Sequence, residues 1–492
     1  MKKKAKLKLN NFDKILRANA ALKNPRLLYQ AKTRLLKNIS LLAHKFYGGK
    51  TATCLKAPIF NPAWLNVYYT PGVSSVSLAL KADKEQAFAL SNRANCVAVV
   101  SDGTRVLGDG DCGPHGALGV MEGKAMLMKY FGGIDAHALC IDSRGADGKP
   151  SAQKIIDFVK TVSPSYGAIN LEDISQPNCY YVLDALKKEG DIPVWHDDAQ
   201  GTACVVCAAF LNALKLVRKK IENAKIILYG SGAANTSIAS FLMRLGAPPK
   251  NIIMFDSKSA LHKNREDLKN NTASFKQWEL CKITNPSCLK THEEVFKGAD
   301  AVIALSASGP NVLKKEWIKL MASKAIVFAC ANPIPEIYPQ DAFEAGAFIV
   351  ATGRGDFANQ VNNSLCFPGI LKGALLCRAK AISDEMALSA TQALALRARR
   401  LGLKRERILP PMDDDELYAL EAAAVVKTAC KQGLARRTLS ESEAYKETLR
   451  AVKAARRLNK IMIEKGFFEP FPQKLFDEAL RKTLKEIKSA NF

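Results

Sequence analysis

Two pairs of adjacent carboxylates are the residues best suited to chemistry in this 492-residue chain. Glu172 and Asp173 close the stretch Asn170-Leu-Glu-Asp, and Asp197 and Asp198 open His196-Asp-Asp-Ala-Gln-Gly-Thr. An apolar run precedes each pair, Tyr166-Gly-Ala-Ile-Asn-Leu for the first and Ile192-Pro-Val-Trp for the second. The pattern predicts two strands joined through a helix over residues 177–188. Ligands of α/β sheets collect at the carboxyl ends of strands. Neighbouring strands ending in carboxylate pairs would therefore build an all-oxygen pocket for a hard divalent cation, Mg²⁺ or Mn²⁺. Taken alone, either pair reads as helix N-caps. Two pairs at this spacing, ahead of a dinucleotide motif, favour the cation.

That motif begins with the apolar strand Lys225-Ile-Ile-Leu-Tyr, followed by Gly230-Ser231-Gly232-Ala233-Ala234-Asn235 and a helical run from Ile238. A second strand, Asn251-Ile-Ile-Met-Phe, ends at Asp256. Gly230 permits a tight turn, and Gly232 lets the backbone approach a pyrophosphate at the helix N-terminus. Asp256 would accept hydrogen bonds from an adenosine ribose. Asn235 stands where a third small residue normally lets helix and strand pack closely. An empty unit of the same fold is the alternative to dinucleotide binding.

Other groups gain interest beside a metal and a nicotinamide. Tyr69 adjoins the Pro71-Gly72 turn, and Lys124 lies in Glu122-Gly-Lys-Ala. Tyrosine and lysine are acid–base types whose pKa values the surroundings can tune. The glycine-rich stretch from Ser101 to Gly113 carries Arg105, a fork suited to a carboxylate. Asn332, Asn362 and Asn363 follow predicted strands and could hydrogen-bond an oxyacid.

The elements that must position these residues alternate short apolar runs with helical ones. Strands are expected at Val97–Val100, Val106–Gly108, Ala138–Ile141, Ile226–Tyr229, Ile252–Phe255, Ala301–Ala304, Ile326–Ala329 and Phe348–Val350, with a helix at Met121–Phe131. Such alternation argues for parallel sheets with helices on both faces. Beyond Phe367-Pro-Gly the chain reads as helical, interrupted chiefly at Pro410-Pro411. The expected organisation is a basic helical extension over 1–50 and a substrate and metal domain over 51–213. A Rossmann-like domain with returning helices follows over 214–436, then a helical extension over 437–492.

Nearly half the residues are hydrophobic, which suits an ordinary enzyme, and no uninterrupted apolar run approaches the roughly 20 residues of a membrane span. The 13 cysteines are odd in number and scattered, as free thiols of a reducing compartment would be. Cys204 and Cys207 have no second ligand pair nearby and read as core. Most of the net charge of +25 sits at the ends: residues 1–50 carry 14 Lys/Arg against Asp13, and residues 437–492 carry 13 against 8 acids, which leaves +7 for residues 51–436. Nucleic acid, an anionic membrane, an organelle address and a solvated helical pair are all readings of such ends. No nucleic-acid motif accompanies the charge. Ile15, Leu22, Leu27, Leu28, Leu35, Leu36 and Ile39 interleave with it, so amphipathic helices docking on the core or a second subunit are expected.

Taken in order, YTPGV, VMEGKA, INLEDI, HDDAQGT, the glycine turn, ANPIPE and NNSLCFPGI resemble malic enzymes, over about Tyr69 to Arg436. The spacing is similar to the compact bacterial-type form. The resemblance implies a malic-type domain and a Rossmann-like domain acting on L-malate with a nicotinamide dinucleotide; Asp256 at its strand end favours NAD, with NADP the alternative. It implies metal ligation by Glu172, Asp173 and Asp198, and Lys124 as base with Tyr69 as acid. Asp197 would support the site from behind the ligands. Arg105, Asn332 and Asn363 would hold the substrate. Gly230, Ser231, Gly232, Ala233, Ala234, Asp256 and Asn332 would hold the cofactor. A homodimer or homotetramer without nucleic-acid or membrane partners is expected. It would be cytoplasmic, or in an organelle matrix if residues 1–50 are an address. Asp109, Cys112 and Asn235 depart from the family pattern, and Asp109 would add an anion near Arg105 and Lys124. A malolactic enzyme releasing lactate and a catalytically impaired paralogue serving as a scaffold are the rival readings.

Overall fold

The structure, a computed structural model, describes residues 12–20, 25–189 and 191–489. The chain separates into two compact units. The larger, Leu55–Arg456, contains two wholly parallel sheets. The first has strand order β2-β1-β3-β4, with β1 Cys96–Ser101, β2 Asp135–Cys140, β3 Ala168–Leu171 and β4 Val194–His196. The second has order β6-β5-β7-β8-β9, with β5 Ile226–Tyr229, β6 Ile252–Phe255, β7 Ala301–Ala304, β8 Ile326–Ala329 and β9 Ile349–Thr352. Strands covered on both faces read as continuous apolar runs rather than alternating ones. Accordingly every residue of β1, β3, β6, β7, β8 and β9 is buried. In each sheet the strand order reverses once, between β1 and β3 and between β5 and β7, which are the crevices where ligands enter such sheets.

The helix Thr202–Leu216 is apolar on all sides because it lies in the main core, with Cys204 and Cys207 both inaccessible. With the π-helical turn Asp197–Gly201 it is the one described stretch long and apolar enough to cross a bilayer, and 78% of it is buried. The described cysteines are free thiols. Two expected elements differ. Val106–Gly108 is a turn closed by a Val106–Gly110 bridge, with Leu107 at φ 47°, so the apolar pair Val106-Leu107 does not extend as a strand. The helix expected from Met121 begins at Gly113, where Pro114 in the first turn supplies a preset φ and needs no N–H partner.

The smaller unit holds Met1–Cys54 and Arg457–Phe492. Its helices Phe12–Ala20, Pro25–Tyr47 and Gln473–Ser489 close over Phe12, Leu16, Leu28, Leu35 and Phe476. Asn38 donates to Thr483 Oγ1 at 3.0 Å inside it. The amphipathic pattern thus folds as helices, while Leu22 lies outside the described residues.

Candidate active site

The carboxylate pairs follow adjacent strands, with Leu171 of β3 in register with His196 of β4. Lys124 enters from the helix Gly113–Gly132. Its Nζ lies 2.8 Å from Glu172 Oε1 and 2.5 Å from Asp197 Oδ2, and both carboxylates are inaccessible to solvent. Glu172 Oε1 also accepts from Asn170 Nδ2 at 2.7 Å, and Asp197 Oδ1 accepts from Trp195 Nε1 at 3.1 Å. The Asp173 N–H donates to Asp198 Oδ2 at 2.7 Å. Asp173 sits in the left-handed region, φ 53°, which acidic residues tolerate better than most. That conformation lets its carbonyl accept the Arg105 N–H at 3.0 Å, drawing the β1 loop across the crevice to the end of β3.

Two oxygens of this cluster, Glu172 Oε2 and Asp173 Oδ2, are buried without a hydrogen-bond partner. Burial pushes the Glu172 carboxyl well above its ordinary range; Lys124 opposes this, and Asp197, Asp198 and Asp173 add to it. Burial, then the charge of Asp198, raises Asp173 to about 7. For Lys124 burial works against the charged form, but Asp197, Glu172 and Asp198 together outweigh it and hold the ammonium above its usual value. Among the described residues no group of three or more His, Cys, Asp or Glu is arranged to hold a metal ion, and Lys124 lies between Glu172 and Asp197. The donor chemistry nevertheless fits a hard divalent cation: orphaned anionic oxygens crowded by like charges are what such an ion relieves.

The remaining expected residues divide. Asn363 approaches the Asp197–Gly201 turn, since a Cβ at Gly201 would lie 3.4 Å from the Asn363 Cβ. Gly108 abuts the Asn332 carbonyl so closely that no side chain fits there, which brings the Arg105 loop against Asn332. Arg105 and Asp109 expose their side chains on that loop. Tyr69 is not brought to the cluster and is 72% exposed.

In the second sheet, Gly230 has φ 107° and lies against the Leu305 carbonyl, where a Cβ would collide. The helix Ala233–Arg244 starts directly after Gly232. Asn235 explains its own departure from a small residue: it is buried, and its Nδ2 donates to the carbonyls of Tyr229 and Gly230, fastening the turn. Asp256 is already engaged. Its Oδ1 accepts from the Lys258 and Ser259 N–H groups and its Oδ2 from Arg265 Nη2 at 2.5 Å. Arg265 is itself buried and also grips Asp267.

Three further residues of the motifs, Asn170, Trp195 and Glu336, are positioning groups that residue type alone does not single out. Asn170 and Trp195 orient Glu172 and Asp197, each two residues away, a spacing that puts alternate strand residues on one face. Glu336 of Ala331-Asn-Pro-Ile-Pro-Glu is buried and accepts from the N–H groups of Ala331 and Ser306, tying the loops after β7 and β8 together.

Comparison with known proteins adds an independent line. Residues 48–187 match the family model for the malic enzyme N-terminal domain, and residues 199–431 that for the malic enzyme NAD-binding domain. The NAD-dependent malic enzyme of Geobacillus stearothermophilus is 45% identical over 392 residues, 79% of this chain and 78% of that one. The bifunctional malic/malolactic enzyme of Bacillus subtilis is 40% identical over 414 residues, 84% of this chain and 98% of that one. The crystal structure of Entamoeba histolytica malic enzyme superposes with a TM-score of 0.95 at 48% identity, covering 98% of this chain and all of that one.

Proposed function

This chain belongs to the malic enzyme family, and from that premise we propose how its residues share the oxidative decarboxylation of L-malate to pyruvate and CO₂. The protein is an oxidoreductase that uses a nicotinamide dinucleotide. When bound, a nicotinamide dinucleotide at the Gly230–Ala234 turn would supply a hydride acceptor, and a divalent cation at Glu172, Asp173 and Asp198 would supply a Lewis acid for the substrate oxygens. The observation that carries the assignment of roles is the Lys124 ammonium held between Glu172 and Asp197 at the ends of β3 and β4.

Lys124 takes the proton of the C2 hydroxyl, for which the carboxylate charge around it must first be offset. Glu172, Asp173 and Asp198 are the oxygen ligands that would hold Mg²⁺ or Mn²⁺. Asp197 anchors Lys124 from the far side, with Trp195 fixing Asp197 in turn. Arg105 receives a substrate carboxylate. Asn332 and Asn363 orient the substrate, and Tyr69 returns a proton to C3. The turn Gly230–Ala234 receives the pyrophosphate at a helix N-terminus.

NAD is the preferred acceptor in this reading. An acid closing β6 suits a free ribose hydroxyl better than a 2′-phosphate, and the Geobacillus relative is named as NAD-dependent. Arg265 tempers the preference by neutralising Asp256. Purified protein given L-malate, Mn²⁺ and each dinucleotide in turn tests the whole reading. Pyruvate, CO₂ and reduced dinucleotide in equal amounts are expected, with the higher kcat/KM on NAD. Lactate without net reduction would replace it with a malolactic reaction.

A further inference from the structure

The crevices of the two sheets are joined by a short circuit of side-chain hydrogen bonds that the reaction itself does not use. Helix Asn178–Glu189 connects β3 to β4 and so runs between the two carboxylate pairs. Its Tyr180 hydroxyl lies 3.0 Å from Thr236 Oγ1, on the helix that follows the glycine turn. Thr236 Oγ1 in turn reaches the Ala233 carbonyl at 3.0 Å. A second limb starts at Gln277 of helix Phe275–Ile283, whose Nε2 donates to the Ser231 carbonyl at 2.8 Å and to Gln176 Oε1 at 3.5 Å. The Tyr180 hydroxyl also reaches Gln176 Oε1, at 3.4 Å, which closes the circuit. Tyr180, Thr236 and Gln277 are buried, and Gln176 stands at the outer edge. Ring packing holds the same helices together: Phe275 stacks on Tyr181 at 5.6 Å and meets Tyr180 edge-on at 5.8 Å.

The circuit holds fewer hydrogens than acceptors, because Tyr180 and Thr236 carry one hydroxyl hydrogen each. In one arrangement Tyr180 donates to Thr236 and Thr236 to Ala233, which fastens the glycine turn. In the other Thr236 donates to Tyr180 and Tyr180 to Gln176, which fastens the loop that leaves Asp173. Sites are coupled physically by an element with two discrete arrangements that both sites bias. One end of this element is Ser231 and Ala233, where the pyrophosphate would sit. The other is the loop from Asp173, whose Oδ2 is buried without a partner. Gln277 Oε1 is likewise buried and unpartnered, and its amide cannot be turned round to satisfy it, since Nε2 faces two carbonyl oxygens. Polar groups are thus left open within the circuit and at the end of it that a cation would occupy.

We propose that Gln176, Tyr180 and Gln277 are positioning residues that couple the dinucleotide turn to the cation site, so that occupancy of either tightens the other. The proposal rests on the dinucleotide and cation sites given above. Such coupling is reciprocal and is read from both ends. With oxalate, an unreactive dicarboxylate, present throughout, the Kd of NAD is measured by calorimetry with and without Mn²⁺. The Kd of Mn²⁺ is measured by its electron paramagnetic resonance with and without NAD. In the wild type each ligand is expected to tighten the other by the same factor, about tenfold. Tyr180→Phe keeps the ring and removes the hydroxyl, Gln277→Leu cuts the second limb, and Gln176→Ala changes only the outer edge. Each should bring the factor to about twofold or less, while the Kd of NAD alone stays within about threefold of the wild type. A factor unchanged in all three variants would overturn the proposal, and so would wild-type affinities that ignore each other. NAD affinity lost equally with and without Mn²⁺ would make the circuit a structural prop and overturn it as well. A wild type that binds no NAD would strike instead at the dinucleotide site, and the proposal would fall with it.

Discussion

Glu172–Asp173 and Asp256 each follow the carboxyl end of a parallel strand, and each is largely removed from water, yet their environments are opposite. Asp256 is saturated by Arg265 and two backbone N–H groups; burial works against its charge, but these donors hold its carboxyl below the usual range. Glu172 and Asp173 each keep a buried oxygen without a partner, and burial holds both above that range. A protein does not retain unpaired buried carboxylates for stability, since each costs the desolvation of a charge. The contrast separates two uses of acid at a strand end. One side chain is finished by its own fold, and the other is left open for something that comes and goes. Lys124 shows how the open site is kept in the meantime: its ammonium neutralises part of the cluster at 2.8 and 2.5 Å.

The sharpest way to break the comparison is at the lysine itself. Lys124→Ala is expected to lower kcat for malate by about 10²–10⁴-fold, the usual contribution of a general base, while the affinity for the dinucleotide is unchanged. A loss below about tenfold at neutral pH would remove Lys124 from the proton transfer.

Next in size is the response to a cation. Mn²⁺ at about 100 times its Kd should stabilise the wild type by about 2.7 kcal/mol, read as a Tm higher by several degrees. Glu172→Ala and Asp173→Ala should lose that rise, and Asp256→Asn should keep it. An equal rise in all four proteins would mean that the ion binds elsewhere.

The two acids should also carry opposite pH signatures in the cation-free protein. Asp173 has a folded pKa of about 7 against an ordinary 3.8. It therefore favours the folded state most below about pH 4, and that contribution is lost as the pH rises through about 7. Asp256 is shifted down, so its contribution is present above the ordinary carboxylate range and is lost as the pH falls through its lowered value. Between about pH 4 and about pH 8, the dependence of Tm on pH should flatten for Asp173→Asn relative to the wild type. That of Asp256→Asn should differ from the wild type by a constant over the same range. A wild-type slope surviving in Asp173→Asn would assign it to another group.

The sequence made the open site legible and the closed one only half so. Buried parallel strands announce themselves as apolar runs, so the positions of Glu172, Asp173, Asp197 and Asp198 at strand ends could be read directly. Asn170 and Trp195 could have been read with them, being two residues from the acids they orient. The clamp of Arg265 on Asp256 spans nine residues of irregular loop, whose path no periodicity encodes. Val106-Leu107 misled for a related reason, because a turn set by one positive φ looks like a short apolar strand. Tyr69 lies further out of reach: motif order shows that the chain has the residue, not where the fold places it.

The smallest expected effect lies at that clamp, and it decides what the closed acid is for. If Asp256 with Arg265 is only structural, removing Arg265 should lower stability and leave the preference between NAD and NADP alone. If the pair reads the ribose, Arg265→Ala frees a bare carboxylate where a 2′-phosphate would lie and removes the cation that offsets it. Both changes act against NADP, so the ratio of kcat/KM for NAD over NADP should rise, by up to about tenfold for roughly 1.4 kcal/mol of lost compensation. Asp256→Asn should move the ratio the other way, because it keeps the shape and the arginine while deleting the anion. Lys258 provides the internal control: its Nζ pairs with Asp267 rather than Asp256, and its side chain is largely exposed, so Lys258→Ala should shift the ratio least. A larger shift from Lys258 than from Arg265 would mean that the phosphate is read at the rim of the site, and the closed acid would return to being a piece of the scaffold.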